Sequence, residues 1–286
     1  MRAPFRAMGT SMALIGPGDA DPAAFATTAH RVEAVFAEHE QRFSRFLPDS
    51  ELCRVNTRQT TRVSAAFAQV TRLALAAATR TGGLFDPTTL VALEAAGYDR
   101  DIEVVRLDPR VTPLPDPRSF GRWDEVSLRG RTIDLPEGVA LDFGGIAKGW
   151  TADRAAEEAA RLLPWALVDA GGDLRLTGDV PREGLPIDIE DPFGGDMPSL
   201  QLHHGALATS STRKRRWGDG RHHLIDPRTG RPSATDFVQV TAWAPTCVEA
   251  EVSAKWVLLG GNGVLDAVSA VAMRSGGDLV MNLEAA

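Results

Sequence analysis

Apolar residues in the first third of the chain recur at helical spacing. Between Pro22 and Phe46, Val32, Val35, Phe36 and Phe43 fall on one face, which predicts an amphipathic helix over that span. Ser64 is placed to cap a second helix with the stripe Phe67, Val70, Leu73, Ala74 and Ala77. Gly82-Gly83 end it, ahead of a turn at Phe85-Asp86-Pro87-Thr88. Residues 5–15 read as a strand, and residues 98–122, with Pro109, Pro113, Pro115 and Pro117, as mostly loop. The period then shortens. Residues 125–136 alternate like a hairpin turning near Arg129-Gly130-Arg131, and a helix runs to about Leu163. Residues 165–178 read as two strands broken at Gly171-Gly172, and further strands are expected near 185–190, 198–203 and 237–244. Thr246 followed by Glu249 is a capping-box pattern opening a helix that carries Val252, Trp256, Val257 and Leu259. The mixture predicts an α/β (α+β mixed) fold in one compact domain with two lobes.

Composition narrows the functional classes. The 286 residues are 43% hydrophobic and 24% charged, as in globular proteins, and a net charge of −7 argues against nucleic acid as the main partner. One basic run, Arg213-Lys214-Arg215-Arg216, stands against that background. Cys53 and Cys247 are too few for a disulfide framework or a thiolate metal site and read as free thiols. The N-terminal MRAPFRAMGTSMAL holds no signal peptide, lipidation cysteine or membrane span, so the expected location is the cytoplasm without membrane insertion. HExxH, GxSxG and GxGxxG are all absent. His30 and His39 are expected at the edge of the first helix, and the pairs His203-His204 and His222-His223 would point to opposite faces of a strand.

Two segments carry chemistry. In LDFGGIAKGWTADRAAEE (141–158), an apolar run ends at Asp142, Gly144-Gly145 follow, and Lys148 stands at a helix start. Paired glycines let backbone approach a ligand closely, and free N–H groups plus a lysine suit a phosphorylated one. The same pattern also fits an ordinary turn with a solvated lysine. In LATSSTRKRRWGDGRHHLIDPRTGRP (207–232), Thr209, Ser210 and Ser211 supply hydroxyls, and His223 precedes Leu224-Ile225-Asp226-Pro227. That histidine is placed to act as a general base or to serve as a structural residue. The basic run reads as a solvated face, with Trp217 offering one stacking ring.

The chain resembles the ApbE family of FAD:protein FMN transferases from about Phe5 to Leu283. AMGTSM (7–12), RFSRFLPDSELCRVN (42–56), TGGLFDPTT (81–89) and LDFGGIAKG (141–149) carry the resemblance, followed by ALVDAGGDLRLTG (166–178), LATSS (207–211) and HHLIDPRTGRP (222–232). The resemblance implies a single T-fold-related domain over 1–286, with two lobes around an FAD cleft. It implies that FAD is a substrate and that FMN passes to a Thr or Ser hydroxyl of a target flavoprotein, with release of AMP. By position, Met8, Phe46, Leu84, Phe85 and Asp86 would lie around the flavin or adenosine. Asp142 and Lys148 would hold the ribityl, ribose or diphosphate portion, and Leu224 would touch the cofactor beside His223. Lys148 and His223 are the catalytic candidates. Family targets present a short acidic segment leading to a threonine, which Arg213–Arg216 would be suited to receive.

The metal site departs from the family. Members bind Mg²⁺ between the diphosphate, a backbone carbonyl (here Gly145) and an Asp/Thr pair four residues apart. This chain has Glu251 and Lys255 at those two positions. The pair reads either as an i,i+4 Glu–Lys contact on a helix face or as an ammonium occupying part of the metal position. The departure leaves two alternatives open: an FAD pyrophosphatase giving FMN and AMP, or a non-catalytic FAD-binding paralogue.

Overall fold

Eight strands form a sheet whose spatial order follows chain order, every neighbouring pair antiparallel. They are β1 (Arg2–Ala7), β2 (Thr10–Ile15), β3 (Trp165–Asp169), β4 (Leu174–Gly178), β5 (Ala206–Ser211), β6 (Phe237–Ala244), β7 (Ala270–Arg274) and β8 (Leu279–Asn282). The structure, a computed structural model, describes residues 1–283 apart from positions 111, 196 and 198. An all-antiparallel sheet with segregated helices puts the chain on the α+β side of the expected mixture.

Four longer helices are α1 (Pro22–Phe43), α2 (Ala65–Arg80), α3 (Ala147–Ala159) and α4 (Cys247–Gly260). Strand alternation divides the sheet into two faces. Ala166, Val168, Ala206 and Ala208 share a core with Val32 and Phe36 of α1, Ala152, Ala155 and Ala156 of α3, and Ala250 of α4. So many alanines on both sides let helix and sheet approach closely. Leu167, Leu176 and Leu207 point the other way and are covered by a hairpin of Leu185–Asp188 and Ser199–Leu202. The expected strand near 198–203 is the second arm of this hairpin, with position 198 outside the described residues, as are 284–286 of the expected domain.

Residues 16–164 are inserted between β2 and β3. Beyond α1 this insertion forms a cap. It contains a short helix Glu51–Asn56, α2, and a small sheet of Thr60–Arg62, Thr132–Asp134 and Ser127–Arg129. Its core of Phe67, Val70, Ile133, Leu141 and Phe143 continues into Trp150 of α3 and Val252 of α4, so cap and sheet meet at those two helices. Ser64 caps α2 as expected, accepting from the Phe67 N–H at 3.2 Å, and is itself gripped by the buried Glu51 carboxylate.

Several expectations change in three dimensions. Residues 5–15 are a hairpin rather than one strand, with Met8 and Gly9 as a two-residue turn at φ 49° and 71°. α1 stops at Phe43, because Ser44 turns extended and Phe46 is left 43% exposed. The proline-rich stretch contains a helix at Ile102–Leu107. The apolar run before Asp142 has no regular structure and pairs with no strand among the described residues. His39 is buried rather than at a helix edge: Nδ1 lies 3.1 Å from the Thr151 hydroxyl and the ring packs 4.6 Å from Trp150. β7 and β8 were not expected: β7 is buried on both faces and shows no alternation, and β8 is a four-residue edge strand too short to show one. No helix among the described residues is long and apolar enough to cross a membrane.

Candidate functional site

The segment before α3 is fixed by side chains from the cap. Asn56 donates to the Leu141 carbonyl and accepts its N–H, both at 2.8 Å, and the Asp142 N–H donates to the Pro87 carbonyl at 2.8 Å. These bonds replace the ladder that a strand would have supplied. The chain then enters α3, which puts Lys148 in the first turn as expected. Gly149 permits close contact with α4, since a Cβ there would lie 2.7 Å from the Cys247 carbonyl oxygen. Asp153 of α3 accepts the Cys247 and Val248 N–H groups at 2.9 and 3.1 Å, capping the start of α4, and pairs with Arg175 at 3.0 Å. The two helix starts are therefore locked to one another.

That junction decides the partners of each charge. Glu251 accepts the Gly149 N–H at 2.9 Å with one oxygen and pairs with Lys148 at 3.2 Å with the other. Lys148 also pairs with the buried Asp173, whose other oxygen accepts the Thr209 N–H at 3.4 Å. Lys148 is thus held between two carboxylates. Lys255, one turn beyond Glu251, forms no ion pair within 4 Å among the described residues. Its ammonium sits directly on Gly145, where a Cβ would overlap it, and 5.4 Å from the centre of the Phe85 ring.

A cleft of about 230 Å³ opens over this floor, between cap and sheet. Met8, Phe46, Asp142, Lys148, His223 and Lys255 all line it. Leu84, Phe85, Asp86, Gly145, Leu224 and Glu251 are not among its lining residues. Leu84 and Leu224 join the core under α4, and Phe85 joins the core of the cap. One Asp86 oxygen takes both the N–H and the hydroxyl of Thr88 at 2.6 Å, and the other is buried without a partner. Burial, opposed by those bonds, pushes the Asp86 carboxyl above its usual range.

The cleft also contains residues that the sequence pattern did not single out. Arg45 lies 4.2 Å from the Phe46 ring centre and 4.5 Å from that of Tyr98, a cation resting against a pair of tilted rings that themselves meet at 5.9 Å. Of the basic run, Arg213, Lys214 and Arg216 are exposed, and Lys214 pairs with Glu190 at 2.8 Å. Arg215 instead lines the cleft. Asp173 follows the Gly171-Gly172 break; an acidic residue entering a strand after paired glycines was the one signal for it.

His223 stands between cations. Burial, then the charges of Arg215 and Lys255, hold its pKa well below the ordinary histidine value, and its Nδ1 is buried without a partner. The ring is therefore neutral and has a nitrogen to spare. Burial lowers the Lys255 pKa from the usual lysine value, opposed by the Glu251 and Asp142 carboxylates.

The residues present do not fit Mg²⁺ at Gly145, Glu251 and Lys255. An ammonium covers Gly145, both Glu251 oxygens are engaged, and the described residues hold no cluster of three or more His, Cys, Asp or Glu suited to a metal ion.

The profile of the ApbE family matches residues 8–273, and the chain belongs to that family. It is 30% identical over 262 residues to the FAD:protein FMN transferase of Vibrio cholerae, covering 86% of this chain and 76% of that protein. It is 27% identical over 267 residues to the enzyme of the same name from Escherichia coli K12, covering 86% and 74%. The crystal structure of the ApbE protein from Thermotoga maritima superposes with a TM-score of 0.86 at 24% identity, over 99% of this chain and 96% of that one.

Proposed function

We propose that the chain is an FAD:protein FMN transferase, acting as one unit to move FMN from FAD to a Thr or Ser hydroxyl of a target flavoprotein. The observation that carries this reading is a neutral histidine with an unpartnered nitrogen, beside unpaired cations, in a single cleft of an ApbE-family chain. The Phe46, Arg45 and Tyr98 cluster supplies aromatic and guanidinium surface for a ring system at the rim, and Met8 lines the same cleft. Arg215 and Lys255, which line the same cleft, suit a diphosphate.

In the transfer, the acceptor oxygen attacks the FMN-side phosphorus and forms a new P–O bond. The bond from that phosphorus to the oxygen bridging to AMP breaks, and AMP leaves with that oxygen. His223 takes the hydroxyl proton. Arg215 and Lys255 disfavour an imidazolium in the free protein, and a bound diphosphate offsets their charge, so substrate binding prepares the base.

Incubating the purified protein with FAD and a candidate target, with and without Mg²⁺, tests the reading. Flavin fluorescence on the target after denaturing electrophoresis, with equimolar AMP, is the expected result. AMP and free FMN without a labelled target would establish hydrolysis instead, and recovery of intact FAD would establish a binding protein.

A further inference from the structure

Lys148, in the first turn of α3, and Lys255, midway along the neighbouring α4, face one cleft, yet among the described residues only Lys148 pairs with carboxylates. At i,i+4 on α4, Glu251 and Lys255 would ordinarily pair with each other. Here α3 diverts Glu251: its two oxygens are taken by Lys148 and by the Gly149 N–H. Lys255 is left enclosed, charged and facing the cleft. We infer that the Lys255 ammonium is a tethered cation that takes the place of a divalent metal ion, binding the diphosphate of FAD directly. This inference rests on the cleft being an FAD site.

Three features of the floor support it. Gly145 has no side chain, and the ammonium fills the space a Cβ would need, so the lysine is seated rather than free to sweep solvent. Arg215 lines the same cleft, and it and Lys255 both depress His223, so the two positive charges act on one volume. Together they carry the charge of one divalent ion. A metal ion entering at Gly145 would meet an ammonium, at a cost that rises as water is excluded.

The test is binding, not turnover. Flavin-free protein is titrated with FAD, and separately with riboflavin, in EDTA and in Mg²⁺. The expected FAD affinities in the two buffers agree within about threefold. Lys255→Met weakens FAD binding in EDTA by roughly ten- to a hundredfold and leaves riboflavin, which has no phosphate, unmoved. Glu251→Asp with Lys255→Thr makes FAD binding depend on Mg²⁺. Wild-type binding that falls tenfold or more in EDTA overturns the inference while leaving the FAD reading standing, and this arm needs no variant to fold. Equal losses for FAD and riboflavin in Lys255→Met overturn it as well. Failure to bind FAD in either buffer would remove the FAD reading and the inference with it.

Discussion

The floor and the rim of the cleft are held by different physics. The floor is a closed set of charges: Lys148 with Asp173 and Glu251, and Asp153 across the start of α4. Each partner is buried and comes from a distant part of the chain, so the arrangement is rigid and expensive to disturb. The rim is a strained turn and a cation resting on two tilted rings. Met8 is the one non-glycine among the described residues at positive φ, and Arg45 lies against both Phe46 and Tyr98. Charge at the floor fixes where a reacting phosphate would sit, while the rim offers adaptable area to a flat ring.

The largest expected effect lies at the floor. His223→Ala should reduce transfer by about 10²–10⁴-fold at saturating FAD. In the unaltered protein, the acid limb of kcat/KM should fall below pH 6.5, since burial and neighbouring cations lower the His223 pKa. An unchanged rate in the variant, or an acid limb above pH 6.5, would return His223 to a structural role.

Stability should separate the two regions next. Asp173→Ala leaves Lys148 one carboxylate short in a buried setting and should cost about 3 kcal/mol in urea unfolding. Phe46→Ala, at the exposed rim, should change stability by less than about 1 kcal/mol while weakening FAD binding. Equal costs would erase the distinction drawn between floor and rim.

Behind the floor, His39 gives the fold a pH dependence of its own. Burial lowers its pKa to about 4, so in acid the unfolded chain binds this proton before the folded one does. Its contribution is complete above pH 6.5 and is lost as the pH falls from there towards 4. The loss is on the order of 2 kcal/mol, allowing for the partial exposure of the site. His39→Phe should flatten the melting temperature across that window. A slope that persists would assign it to other groups.

The smallest effect is at the turn. φ values of 49° and 71° at Met8 and Gly9 define a type I′ hairpin, in which asparagine is favoured at the first position. Met8→Asn should raise stability by about 0.5 kcal/mol and loosen FAD retention, trading strain against contact. Loss of stability together with unchanged binding would show that Met8 is a packing residue.

Much of this was legible beforehand, for identifiable reasons. The stripes of α1 and α2, the Ser64 and Thr246 caps and the Phe237–Ala244 strand follow from local periodicity and local hydrogen bonds. Among candidate site residues, Met8, Phe46, Asp142, Lys148, His223 and Lys255 do meet in one cleft, because the motifs carrying them sit on chain entering or leaving regular elements. The proline count hid the Ile102–Leu107 helix, and burial on both faces hid β7. Arg215 could not be told from its three basic neighbours, since which of four consecutive cations turns inward depends on the wall it meets.

The sequence alone determined the family, the mixed architecture and six of the residues that line the cleft, because these are properties of pattern and order. It also exposed the departure at Glu251 and Lys255. Only the tertiary structure decided the partner of each charge. Lys148, which a linear reading offers as the free cation, is neutralised by carboxylates from positions 173 and 251, and Lys255 is the lysine of the two left without an ion pair among the described residues. The physical reason is that ion pairing is set by distance. The locking of α3 to α4 through Gly149 and Asp153 brings Glu251 to the wrong lysine for its own helix and the right one for the fold.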